Sequence, residues 1–250
     1  MKLRFHRKLV VRLLIISCMF VASCVCTYAA IDETEPNNLI SQANKISVGE
    51  TVYGKYGNGE YSDYYKFTAP VSGTVKIRVW HDNPADTSNL IAMNVFNSHG
   101  NLLSEFFAGN SMLPEGDGST EFPVIAGKTY YISFEGKIGF DVIQYHFKTL
   151  YSVGRTSISS LKGNKKSLTV KWHKKSGASF YQIQHTPKST YDKYNWTKAK
   201  TVKASAKSKS KKIKKLRRFK KYCVRVRVVR VIEGKTYYSP WSTKKVVRVK

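Results

Sequence analysis

The residues most able to do chemistry lie near the end of the chain. From Lys207 to Lys221 the sequence is dense in Lys and Arg and holds no acid, and then Tyr222-Cys-Val-Arg-Val-Arg-Val228 alternates apolar and charged positions. Arg at every second place of one strand forms a ladder about 7 Å apart, a spacing suited to a repeating polyanion. Lys211, Lys212, Lys214, Lys215, Arg225, Arg227 and Arg230 are the residues expected to carry such contacts. The competing expectation is that these charges only solvate and protect the edges of a β-sandwich.

Catalytic patterns are missing from the sequence. Six His are scattered without HExxH, and no GxSxG supplies a nucleophile elbow. Neither a Gly-rich phosphate loop nor a zinc-spaced Cys pair occurs. Cys223 falls on the outward phase of its strand with no evident His partner, which favours an inert thiol over a nucleophile. The chain is therefore expected not to be an enzyme.

Charge divides the 250 residues into blocks. The formal net charge is +27, yet residues 31–150 hold 8 Lys and Arg against 14 Asp and Glu, while residues 151–250 hold 30 against 2. An acidic segment of 31–150 followed by a basic one of 155–250 implies two domains. Residues 1–30 run from a basic stretch (Lys2, Arg4, Arg7, Lys8, Arg12) into an apolar run from Leu13 to about Cys26 and then small residues. That is the order of a secretory signal peptide, so an extracellular or cell-surface location is expected. The alternative is Val21-Ala22-Ser23-Cys24 as a lipobox, with a lipid on Cys24 as the sole membrane attachment. Three of the four Cys lie in this leader, leaving Cys223 without a disulfide partner once it is removed.

Both segments read as strands. In the first, the runs Thr51–Tyr56, Asp63–Thr68, Gly73–Trp80, Leu90–Phe96, Leu102–Phe107, Thr129–Phe134 and Phe140–Phe147 are punctuated by Gly, Asn and Pro turns. Val75, Ile77 and Val79 share one face. In the second, Leu168, Val170 and Trp172 alternate, as do Tyr181 and Ile183, while Ile213 and Leu216 point inward with Tyr222, Val224, Val226 and Val228. An all-β fold of two sandwiches follows, the second with six or seven strands.

Glu33-Thr-Glu-Pro-Asn-Asn38, Ala43, Gly49-Glu-Thr-Val-Tyr-Gly54, Asp63-Tyr-Tyr-Lys-Phe-Thr-Ala-Pro70 and Ser72-Gly73 resemble the bacterial pre-peptidase C-terminal domain over about residues 33–149. The resemblance implies a jelly-roll-like accessory module of secreted peptidases and surface proteins, with no catalysis of its own. Some relatives bind calcium through their opening motif and the loop before the Asp-Tyr-Tyr segment. The matching residues here are Glu33, Glu35, Asn37 and Asp63, with Glu60 or Asn58. Tyr61 stands where the family often has a further acid, so Glu60 would have to compensate. Against this stands the plainer reading, in which Glu33 and Glu35 are solvated acids beside a turn.

Residues 155–250 resemble a fibronectin type III domain, through Trp172, Leu216 six places before Tyr222, and Tyr238-Ser-Pro-Trp-Ser242. The resemblance implies a core Trp and a tyrosine corner at Tyr222. Together the two imply a secreted, Gram-positive-type surface protein that binds carbohydrate, matrix protein or anionic envelope polymer without catalysis. Specific nucleic-acid recognition is not expected. The alternative is an accessory subunit of an extracellular peptidase or glycosidase.

Overall fold

A computed structural model describes residues 30–57, 62–80, 91–108, 118–136, 143–188 and 194–250. The leader, Cys24, Asn58 and Glu60 lie outside the described residues. Strands follow one another along the whole described chain. They are β1 (Ile31–Asp32), β2 (Asn44–Lys45), β3 (Thr51–Tyr56), β4 (Ser62–Thr68), β5 (Gly73–Trp80), β6 (Ile91–Asn97), β7 (Leu102–Ala108), β8 (Gly118–Val124), β9 (Thr129–Gly136) and β10 (Ile143–Ser152). After them come β11 (Ile158–Asn164), β12 (Ser167–Trp172), β13 (Phe180–Pro187), β14 (Lys200–Ser205), β15 (Ser210–Lys214), β16 (Lys221–Ile232), β17 (Lys235–Tyr238) and β18 (Lys245–Arg248). The described helix content is one 3-10 turn, Ile40–Gln42.

Four sheets form, ordered β1-β3-β10-β5-β8, β2-β4-β9-β6-β7, β11-β12-β15 and β14-β13-β16-β17, with β18 also pairing β16. The first two draw only on strands up to Ser152 and the last two only on strands from Ile158 onward. Each pair closes over its own apolar filling, giving two β-sandwich domains. Alternation explains the first core: Val75, Ile77 and Val79 are buried on β5, as expected, beside Phe147 of the same sheet and with Tyr65, Phe67 and Phe134 supplied by the other. Phe134 lies 4.8 Å from Phe147 and 4.5 Å from Tyr145, centroid to centroid, so the filling is largely aromatic.

In the second sandwich Leu168, Val170, Trp172, Tyr181, Ile183 and Ile213 are buried in the predicted phase, as are Leu216, Tyr222, Val224, Val226 and Val228. Trp172 packs on Tyr181 at 5.2 Å. Tyr222 Oη accepts from the Arg217 N–H at 3.2 Å, closing the corner between β15 and β16. Eight strands are described where six or seven were expected. The excess arises partly because β17 and β18 are two halves of one edge, pairing Val229–Ile232 and Lys221–Val224 of β16 respectively. Pro240, which has no N–H, stands in the gap.

Cys223 keeps the outward phase of Arg225 and Arg227, opposite the core residues, but is fully buried. β18 flanks it, with Val246 as its register partner, and the nearby thiol adds to the burial that raises the Tyr194 hydroxyl. Burial pushes the thiol's pKa up, which suits an inert side chain.

The two sandwiches touch at their junction. Lys235 Nζ donates to Val48 O at 2.9 Å and pairs with Glu50 at 3.9 Å, and Tyr237 Oη donates to Val48 O at 3.3 Å. Tyr151 meets Tyr237 edge to face at 5.6 Å. Burial first, then the neighbouring Tyr151 and Glu233, push the Tyr237 hydroxyl up to about 12. An unfolded Tyr releases its proton near pH 10. The Tyr237 contribution to stability is therefore intact below pH 10 and lost between pH 10 and 12. Denaturant unfolding at pH 9 and pH 11 is expected to show a smaller alkaline loss for Tyr237→Phe than for the parent chain.

Candidate functional site

At one end of the first sandwich the opening segment folds back onto the strands. β1 pairs parallel with β3, Glu33 N–H donates to Tyr53 O at 3.1 Å, and Tyr64 N–H donates to Asn37 O at 2.8 Å. The Glu35–Pro36 peptide is cis. This anchoring brings one carboxylate oxygen each from Glu33, Glu35 and Asp63 within 4.8 Å of one another. Asp63 and Asn37 are fully buried, Glu33 is half-buried and Glu35 is exposed, so the cluster opens to solvent on one side.

Hydrogen bonds fix each group from behind. Lys55 N–H donates to Glu33 Oε1 at 2.6 Å, and Tyr65 Oη donates to Glu33 Oε2 at 2.5 Å. Tyr145 Oη donates to Asp63 Oδ2, and the two Tyr hydroxyls stand 3.0 Å apart. Burial raises both phenols, with the negative charge of Glu33 adding to it at Tyr65 and the Tyr65 and Asp63 groups at Tyr145. They remain protonated donors throughout the physiological range.

The Asn37 amide bears on what the cluster holds. One orientation turns its oxygen toward acceptors, while the rotated amide donates to Asp63 Oδ1 and Glu35 Oε2, both at 3.3 Å. In the first orientation Asn37 Nδ2 donates to Glu33 Oε2 at 3.3 Å and its oxygen is left facing carboxylates, an arrangement a bound cation would favour, whereas the rotated amide needs none. An all-oxygen set of this kind fits a hard cation such as Ca²⁺ better than zinc. Four of the expected ligand residues thus come together, and Glu60 lies outside the described residues.

The basic residues do not form one face. Lys211, Lys212 and Lys214 lie on β15 with Lys215 just beyond it, whereas Arg225, Arg227 and Arg230 lie on β16 of the opposite sheet. Nor are the Arg side chains an open ladder. The Arg225 guanidinium lies 4.0 Å from the Trp196 ring and 4.5 Å from that of Trp241. Arg227 lies 4.4 Å from Trp241 and 4.0 Å from Tyr238. Gln184 Oε1 accepts from Arg225 Nη2 at 2.6 Å, and Gln182 Oε1 accepts from Arg227 Nε at 2.7 Å. Rings cover both guanidinium faces, so the expected polyanion ladder becomes a structural stack of alternating cations and aromatics. Arg230 stands apart at the domain junction, 5.6 Å from the Tyr151 ring.

The Ser-Pro-Trp-Ser segment builds that stack. Between its pairings with β17 and β18, β16 has backbone groups to satisfy. Val228 N–H donates to Ser239 Oγ at 2.9 Å and Val226 N–H to Ser242 Oγ at 3.0 Å. With both serines turned inward, Trp241 lies between the two Arg. Trp241→Ala removes a face from each and is expected to cost about 1–2 kcal/mol, read as a lower denaturation midpoint with an unchanged m-value. Arg225→Ala in the same background should then cost somewhat less than it does alone, because only its contacts with Trp196 and Gln184 remain.

A cleft missed by the sequence reading opens between β14 and β15, the facing edges of the two sheets. It consists of adjoining cavities of about 380 and 700 Å³ that share His185, Lys200, Lys215 and Leu216. His185 is 4% exposed, and its Nδ1 has no hydrogen-bond partner. Burial, then Lys200, lower its pKa. The available signal was phase, since His185 continues the inward alternation of Tyr181 and Ile183.

The fold therefore defines an all-β protein of two β-sandwich domains, one with a carboxylate–amide cluster and one with a basic cleft. No protein-family model matches the chain, and no curated protein matches it. Among solved structures, the pre-peptidase C-terminal domain of a Bacillus anthracis collagenase is similar over 43% of this chain and 93% of its own, at 16% identity and TM-score 0.35. A segment of two fibronectin type III domains from chicken tenascin is similar over 75% of this chain and 98% of its own, at 17% identity and TM-score 0.35. A fibronectin type III domain of human contactin 1 covers 39% of this chain and 78% of its own, at 16% identity and TM-score 0.32.

Proposed function

We propose that this chain is a non-catalytic extracellular binding and surface-attachment protein. Its first sandwich engages carbohydrate or matrix protein, stiffened by Ca²⁺ held between Glu33, Glu35, Asn37 and Asp63. Its second sandwich holds the protein to an anionic polymer of the cell envelope. The observation that carries this reading is the partition of charge onto two closed sandwiches. Residues 151–250 bring 30 Lys and Arg against 2 acids, while the core of that sandwich is apolar, so its cations face solvent. Such a field attracts a polyanion at a range set by salt. The leader reading and the bacterial surface setting belong to the same proposal.

The cluster residues fit calcium by chemistry, since carboxylate oxygens of Glu33, Glu35 and Asp63 lie within 4.8 Å of one another with the Asn37 amide beside them. The ion would join the opening segment to β4, and Tyr65 and Tyr145 would orient the carboxylates around it. The reading is tested by an array of glycans, collagen and anionic envelope polymers, probed with the full chain with and without Ca²⁺. Salt-sensitive retention on anionic polymer is the expected result. An array on which nothing is retained at low salt overturns it.

A further inference from the structure

We propose that the cleft between β14 and β15 binds an acyclic phosphodiester chain, threaded along the seam where the two sheet edges face each other. This rests on the envelope-polymer reading and deepens it by naming the site and the ligand chemistry. β14 ends one sheet and β15 ends the other, and the turn between them carries the chain across. The smaller cavity is lined by Lys198, Lys200, Lys215, Arg217 and Lys220, and the larger one continues past Lys211, Lys212 and Lys214. No acid lines either cavity among the described residues. Cations follow one another along the seam, which suits a ligand with charge at regular intervals better than one isolated anion.

His185 separates this cleft from a merely charged surface. Its ring forms the shared floor of both cavities, is 4% exposed, and leaves Nδ1 without a partner. A buried polar nitrogen normally has a hydrogen-bond partner. Nδ1 is closed off from the ligand-free cleft, so the ring would turn toward the cleft on binding and let a phosphoryl oxygen accept from Nδ1–H.

The remaining lining argues for the class of chain. The aromatic there is Tyr222, which is buried within the corner and offers no face on which a nucleobase could stack. Asp, Glu, Asn and Gln, the side chains that would accept from sugar hydroxyls, are not among the described lining residues. Leu216, Pro187 and Val202 supply apolar contact instead. Cations with short apolar stretches match phosphodiesters joined by a small polyol, without ring or base.

The test measures binding of a synthetic glycerol phosphate oligomer to the full chain at 50 and 200 mM salt, beside a sulfated glycan and oligo(dT). K200Q/R217Q/K220Q is compared with K162Q/K174Q/K244Q, which removes the same charge from exposed positions that do not line the cleft. Losses of at least about 10-fold for the cleft variant and under about 2-fold for the control are expected. The slope of log K against log salt should fall by about 2 in the cleft variant alone. On the parent chain the His185 ring resonances should move with the oligomer while those of exposed His173 stay, a readout that needs no substitution in the core. Equal weakening of the two variants, or unmoved His185 resonances, overturns the proposal. If the sulfated glycan or oligo(dT) binds at least as tightly as the oligomer, the phosphodiester assignment falls while the envelope-polymer reading stands. If no polyanion binds at 50 mM salt, both fall.

Discussion

Gly54→Ala is expected to destabilise the first sandwich by about 2–3 kcal/mol, lowering its melting temperature by roughly 10 °C or more. Gly54 lies opposite Tyr145 in the β3–β10 register. A Cβ there would stand 2.5 Å from Tyr145 Cζ, 2.5 Å from its hydroxyl and 2.5 Å from the Tyr65 hydroxyl. The tips of exposed tyrosines could swing away at little cost. These two are fully buried and tied to Asp63 and Glu33, so they cannot yield without breaking the bonds that orient both carboxylates. The methyl group must therefore separate β3 from β10 or disconnect the hydroxyls from the acids. Calorimetry of Gly54→Ala checks this, and a change below about 0.5 kcal/mol would show that the tyrosine pair is free to move. Gly54→Ser, slightly larger again, should not recover the loss.

Addition of 10 mM Ca²⁺ is expected to raise the first melting transition by roughly 10 °C. An extracellular module with a Kd of about 0.1–1 mM gains about 1.4–2.7 kcal/mol at that concentration. Mg²⁺ should do much less, because it gives up its waters reluctantly and requires octahedral geometry. Asp63→Asn keeps an acceptor for Tyr145 but removes one of three carboxylates packed within 4.8 Å of one another, and should abolish the shift. In chelator the same variant should melt no lower than the parent chain, because it also removes repulsion between like charges. A calcium shift that persists in Asp63→Asn, or is absent from the parent, overturns the assignment. A shift equally large with Mg²⁺ would mark general screening of the acidic domain.

Several features of this chain were legible because they depend on local periodicity. Alternation placed Val75, Ile77 and Val79 inward, and likewise Leu168, Val170 and Trp172, since successive side chains of a strand must point to opposite faces. The strands that escaped were edge strands. β8 contains Pro123, which a central strand would exclude but an outermost one tolerates. β14, Lys-Thr-Val-Lys-Ala-Ser, buries little beyond Ala204 and so shows almost no apolar phase. An edge strand is held by backbone bonds to one neighbour, and backbone bonds leave little trace in residue type.

Charge was legible in amount but not in arrangement. The sequence by itself determined two β segments of opposite charge, the inward residues of the central strands, and the acid and amide residues that calcium chemistry would need. Tertiary structure decided which of these meet. It set Arg225 and Arg227 between Trp196, Trp241 and Tyr238, residues up to 45 positions from one another, and turned an apparent anion ladder into a stack. It buried Cys223 in spite of its outward strand phase. It also opened the cleft above His185 by ending one sheet at β14 and the other at β15. Strand phase is a property of adjacent residues and is written along the chain. Whether a charge meets a ring, a carboxylate or water depends on which distant strands become neighbours, and only the closed sandwich specifies that.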